Sequence, residues 1–132
     1  MKLLTTIIAL FVSGLLQAQP SPTPEQLVQQ QLDAYNKRDI EAFLVPYSDS
    51  VAVYGFPNKL FYKGKATMRQ QYADMFNNTP DLFCDLQKRM VLANTVIDHE
   101  KVTFTKGQPP LYAIAIYTIE KGKIAQVHFI MP

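Results

Sequence analysis

The second half of the chain reads as strand almost without interruption. Segments 82–92, 95–105, 111–119 and 123–131 are rich in β-branched and aromatic residues. They are parted only by Asn94, by Gly107-Gln108-Pro109-Pro110 and by Glu120-Lys121-Gly122. Breaks this short join antiparallel neighbours, because a parallel pair needs a crossover of roughly a dozen residues or more. A meander of four long strands is therefore expected, and everything before it must supply cover for one of its faces.

The first half supplies helices. Thr23-Pro24-Glu25-Gln26 places a capping hydroxyl before Pro at the first helical position, with Gln three residues after the cap. A helix is predicted from Pro24, with Leu27, Val28, Leu32 and Tyr35 on its apolar stripe. Asp39 caps a second, shorter helix in which Ile40, Phe43, Leu44 and Tyr47 share a face. Residues 51–56 and 60–63 read as a strand pair around Pro57-Asn58, and after Gly64 the spacing of Met68, Tyr72, Met75 and Phe76 predicts a third helix. Helices followed by long strands indicate an α+β domain over 24–132, in which three helices pack on one face of a curved sheet.

The order of these elements resembles one superfamily. The broken helix Leu32-Asp33-Ala34-Tyr35-Asn36-Lys37-Arg38-Asp39, the segment Tyr62-Lys63-Gly64-Lys65 before the third helix, and the final hairpin around Glu120-Lys121-Gly122 are similar to the nuclear transport factor two-like fold, in its SnoaL-like and steroid-isomerase-like branch. The resemblance implies a cone-shaped antiparallel sheet with a pocket, and proteins that commonly pair sheet to sheet. Residues that are apolar on both faces of the later strands, such as Ile114, Ala115, Ile116 and Tyr117, agree with a homodimer.

The isomerase branch holds an enolate oxygen with a Tyr hydroxyl and a protonated carboxyl, while a second carboxylate moves the proton. Aligned on Asn36 and Asp39, those three positions fall on Gln31, Ala115 and Gly55, none of which matches the required group. The resemblance thus carries over a fold and a pocket without that set of residues. Two function classes stay open: a domain that binds a small, largely apolar molecule, and an isomerase- or lyase-type enzyme.

An enzyme would draw on Asp98-His99-Glu100, of which His99 and Asp98 are the first choice, or on His128. Strand alternation puts His99 on one face and both carboxyls on the other. If His99 faces the cone it is a general base near neutral pH; if a carboxyl does, its pKa is raised by burial. If none does, all three are structural or exposed. Tyr54, Phe56, Tyr62, Tyr72 and Tyr112, with His99 and His128, are the candidate ligand-binding residues, and Phe129 belongs with these aromatics. No tight His or Cys spacing indicates a metal, and no Gly-rich phosphate loop indicates a nucleotide, so no cofactor is expected.

Lys2, the apolar run 3–16 and Gln17-Ala18 read as a cleavable leader over 1–18, which predicts a secreted or periplasmic protein, followed by a flexible lead over 19–23. The thirteen Lys and Arg less Lys2 leave twelve against eleven Asp and Glu, with only Lys59, Lys63 and Lys65 close together. That balance argues against nucleic acid as a partner. No later segment is long enough to span a bilayer, so no stable membrane insertion is expected once the leader is removed. Cys84 stands alone, so the core must hold without an internal disulfide.

Overall fold

The computed structural model describes residues 16–132. Most of the expected leader therefore lies outside the described residues. Helix α1 (Pro24–Lys37) opens on the anticipated capping box: the Gln26 N–H donates to Thr23 Oγ1 at 3.2 Å and the Thr23 N–H to Gln26 Oε1 at 2.8 Å. Arg38 ends it in the left-handed region at φ 53°, and Asp39 accepts from the Ala42 N–H to start α2 (Ile40–Leu44). The two helices thus meet at a short polar joint. Asn36, beside that joint, has a second contact. Its side chain donates to Cys84 O at 2.9 Å and accepts from Cys84 N at 2.8 Å, so it pairs with the strand backbone as a neighbouring strand would.

Helix α2 is shorter than its apolar spacing suggested. Val45 still has helical geometry, but Pro46 after it has no N–H to continue the helical ladder, and Tyr47 opens a strand instead. The strands are β1 (Tyr47–Gly55), β2 (Lys59–Lys63), β3 (Phe83–Leu92), β4 (Thr95–Thr103), β5 (Leu111–Glu120) and β6 (Lys123–Ile130), with α3 (Lys65–Asn78) between β2 and β3. Gly64, at φ +97°, makes the turn into α3, a conformation that a side chain would strain.

The six strands lie in the order β2-β1-β6-β5-β4-β3. All neighbours are antiparallel except β1 and β6, which run parallel with Tyr47 opposite Ile124 and Val53 opposite Val127. The sheet is therefore mixed rather than a pure meander. This parallel pair explains why β1 starts earlier than residue 51: Tyr47 extends the strand through pairing with β6, and no local pattern announces it. The three helices cover the inner face of the sheet. Between them sits an aromatic cluster in which Phe43 packs on Tyr72 at 4.4 Å between centroids and Tyr35 meets Phe76 edge-on at 5.6 Å.

Candidate functional site

Alternation along β4 and β5 decides what faces inward. Val96, Asp98, Glu100 and Val102 are buried on β4, and Ala113, Ala115, Tyr117 and Ile119 on β5, with Glu100 opposite Ala113 and Asp98 opposite Ala115. The small Ala113 in that row leaves room above the sheet. That room is a cavity of about 300 Å³ between α1, α3 and the inner sheet face. Leu32, Val53, Met75, Leu111 and Phe129 contribute apolar wall, Tyr35, Tyr62, Gln71 and Tyr72 add polar atoms to it, and Gln31, Tyr47, Glu100 and Tyr117 form a connected polar group.

These four polar side chains make one directed chain of hydrogen bonds. The Tyr47 hydroxyl donates to Gln31 Oε1, Gln31 Nε2 donates to the Tyr117 oxygen, and the Tyr117 hydroxyl donates to Glu100 Oε1, each at 3.2 Å. Every donor points towards the carboxyl, which terminates the chain as an acceptor. Glu100 is 7% exposed. Burial raises its pKa first and the nearby Asp98 charge second; the bond from Tyr117 and the Arg89 charge oppose them, and the balance lies at about 7. Burial also pushes the Tyr47, Tyr72 and Tyr117 phenols well above their ordinary range, so they remain protonated donors.

Asp98, two residues away on the same face, is handled differently. Arg89 holds it in a two-pronged bond, Nε to Oδ1 at 2.7 Å and Nη2 to Oδ2 at 2.8 Å, and Arg89 Nη1 also donates to Gln29 Oε1 on α1 at 2.8 Å. The cation beneath α1 is thus committed to Asp98, and Glu100 is left with a neutral partner. A buried carboxyl without its own cation, next to a phenol, can accept or donate a proton near neutral pH.

The residues expected from sequence divide cleanly in position. Tyr62, Tyr72 and Phe129 line the cavity. His99 emerges from the outer face of the sheet, exposed, with its ring centroid 6.1 Å from that of the half-exposed Tyr112. His128 and Tyr54 stack on that same outer face, centroids 4.6 Å apart and planes 9° from parallel. Phe56 is exposed at the β1–β2 turn. The structure therefore does not bring His99 and Asp98 together: a strand puts residues 98 and 99 on opposite faces, and burial follows the carboxyls because Arg89 and Tyr117 lie on their side. Gln31, Tyr47 and Tyr117 form a group that sequence reasoning missed. The small inward Ala113 on the same strand face as Tyr117 was the available signal, since a large polar residue beside a small one can reach into the space that it leaves. No group of three or more His, Cys, Asp or Glu placed to hold a metal is present among the described residues.

The SnoaL-like domain family matches residues 28–127. The chain belongs to that family. Among solved structures, an uncharacterised cystatin-fold protein from Novosphingobium aromaticivorans is 23% identical and superposes with a TM-score of 0.75 over 83% of this chain and 98% of that one. A candidate ketosteroid isomerase from Kribbella flavida is 17% identical, with a TM-score of 0.69 over 83% and 77% of the two chains. A candidate polyketide cyclase from Sinorhizobium meliloti is 15% identical, with a TM-score of 0.67 over 79% and 93%. No curated protein matches the sequence. At these identities the neighbours establish the fold of the SnoaL-like domain and not its chemistry. The cavity joins a phenol to a carboxyl, Tyr117 to Glu100.

Proposed function

We propose that this SnoaL-like domain binds a small, largely apolar molecule in the cone and orients it through one hydrogen bond to the Glu100 carboxyl. A single observation carries the proposal: an apolar cavity in which a chain of three hydrogen bonds through Tyr47, Gln31 and Tyr117 ends on a carboxyl that has no cation of its own. A volume of about 300 Å³ lies at the small end of ligand pockets, which span roughly 300–1,000 Å³. It suits a body of one or two rings. The ligand best matched is a neutral alcohol, phenol or ketone, because an anion would face a carboxyl that is already costly to ionise. Calorimetry with 2-naphthol and with naphthalene-2-carboxylate at pH 8 tests this. The neutral probe should bind, and should lose about tenfold in affinity when Glu100→Ala removes its partner; equal binding of both probes would contradict the proposal.

A second reading, proton transfer at Glu100 rather than at His99, is favoured by the carboxyl's pKa of about 7, close to where a general base works best. The discriminating assay is exchange of the α-hydrogens of 2-tetralone in deuterated water, followed by NMR. Catalysed exchange that Glu100→Gln abolishes while binding persists would make the domain an isomerase-type enzyme. Exchange at the uncatalysed rate leaves a binding module.

Pairing of two copies through the outer sheet face is part of the same proposal. Registers across the sheet align Leu60, Tyr54, His128, Ile116, Ile97 and Met90 in one row that crosses all six strands. Such a row on an uncovered face supports a self-complementary partner. Export by the leader over 1–18 also stands as a proposal, supported by Lys2 and the apolar run that follows it.

A further inference from the structure

The wall of the cavity continues onto the surface at one end of the sheet. β1, β4 and β6 end there and β2, β3 and β5 begin there, as the pairs Gly55–Lys59, Gly55–Phe129, Ile114–Ile130, Val102–Leu111 and Phe83–Thr103 require. Phe61, Phe104 and Met131 line the cavity at this end and are also 44%, 39% and 46% exposed, which marks them as its lip. Phe56, on the neighbouring β1–β2 turn, is 59% exposed. Soluble proteins seldom leave this many large apolar side chains around one opening without a use for them.

The surrounding charge narrows the choice of partner. Lys59 lies on the lip with its Nζ 6.0 Å from the centre of the Phe61 ring, and Lys106 follows Phe104 in the β4–β5 loop. Asp81 accepts the backbone N–H of Lys106 at 3.1 Å, a bond that leaves the Lys106 amine to solvent. Aromatic side chains rimmed by lysines are the composition of a surface that rests in the headgroup region of an anionic bilayer, with the rings at the acyl boundary and the amines at the phosphates.

We propose that the cavity mouth of this SnoaL-like domain, formed by Phe56, Phe61, Phe104 and Met131 with Lys59 and Lys106, docks peripherally on an anionic lipid surface. Docked this way, the mouth would open towards the acyl region, and an apolar molecule would pass between bilayer and cone without crossing water. The inference goes beyond the proposed binding function, and it holds whether or not Glu100 moves a proton. It also differs from insertion: no helix among the described residues is long and apolar enough to cross a membrane.

Sedimentation with lipid vesicles tests it, using the chain from Gln19 onward, which contains every element of the fold and omits the apolar leader. The protein should co-sediment with vesicles of phosphatidylcholine and phosphatidylglycerol in equal parts, less so with phosphatidylcholine alone, and less again at high salt. Phe56→Ser with Phe104→Ser should lower partitioning about tenfold. Lys59→Glu with Lys106→Glu, which leaves the apolar packing intact, should do the same on anionic vesicles only. Leu92→Ser, exposed at the β3–β4 turn at the other end of the sheet, should change nothing. Absence of binding to the anionic vesicles, retention by both lip variants, or equal loss with Leu92→Ser would each overturn the proposal.

Discussion

Replacing Glu100 by Gln separates the cost of burying a carboxyl from every other pH effect in the protein. The amide keeps the shape and still accepts from Tyr117, but it cannot ionise. In the wild type the pKa rises from its ordinary 4.5 to about 7 on folding. The stability this group contributes is fully present below pH 4.5, where both states hold the proton, and is lost as the pH climbs to about 7, where the folded state finally releases it. At about 1.4 kcal/mol per pKa unit the loss amounts to about 3 kcal/mol. Urea melts followed by far-UV circular dichroism suit a chain that has no Trp. Between pH 4.5 and 8 the wild type should fall relative to Glu100→Gln by about 3 kcal/mol, or roughly 10–15 °C in Tm for a domain of this size. The surface pair of Arg69 with Glu41 is the same in both proteins and cancels. Parallel curves across that pH range would show that Glu100 is solvated or has a cation partner, and the reading of the cavity's polar part would fall with it.

Other predictions test the surroundings of that carboxyl and the outer face. Tyr117→Phe removes the bond that lowers the Glu100 pKa, so an NMR titration of the carboxyl should move above the wild-type value; a downward move would contradict donation from the Tyr117 hydroxyl to Glu100. Arg89→Met strands a buried Asp98 and should cost about 3–5 kcal/mol in urea unfolding, whereas Arg69→Met, on the solvent-screened surface, should cost far less. Equal costs would mean that Asp98 is not buried as a charge. Ile116→Asp in the centre of the outer row should convert a two-subunit species to one in sedimentation velocity; a wild type that sediments as a single subunit would sink the dimer proposal.

Most of the secondary structure was legible because its signals are local. A capping box at Thr23, a cap at Asp39 and a break at Gly64 each act within one turn of chain, so a window of a few residues contains the whole cause. The parallel contact of β1 with β6 was not legible: it joins segments far apart in the chain, and the polar Ser48-Asp49-Ser50 stretch hides the start of the strand. The site was half legible. Alternation separated His99 from Asp98 and Glu100, but both faces of β4 carry apolar residues, Val96 and Val102 on one side and Ile97 on the other, so the pattern could not say which face is inside.

By itself, then, the sequence determined the element order, the α+β class, the family and the pair of alternatives for residues 98–100. These depend on propensity, capping and period, which each stretch of chain carries with it. Only the tertiary structure decided that the carboxyls face in and the histidines out, that Arg89 serves Asp98 rather than Glu100, and that Gln31, Tyr47 and Tyr117 line up on one acceptor. Those outcomes rest on which surfaces the helices cover and on distances between residues far apart in the chain. A carboxyl acquires its pKa from that cover and those neighbours, and so the chemistry of Glu100 exists only once the cone has closed over it.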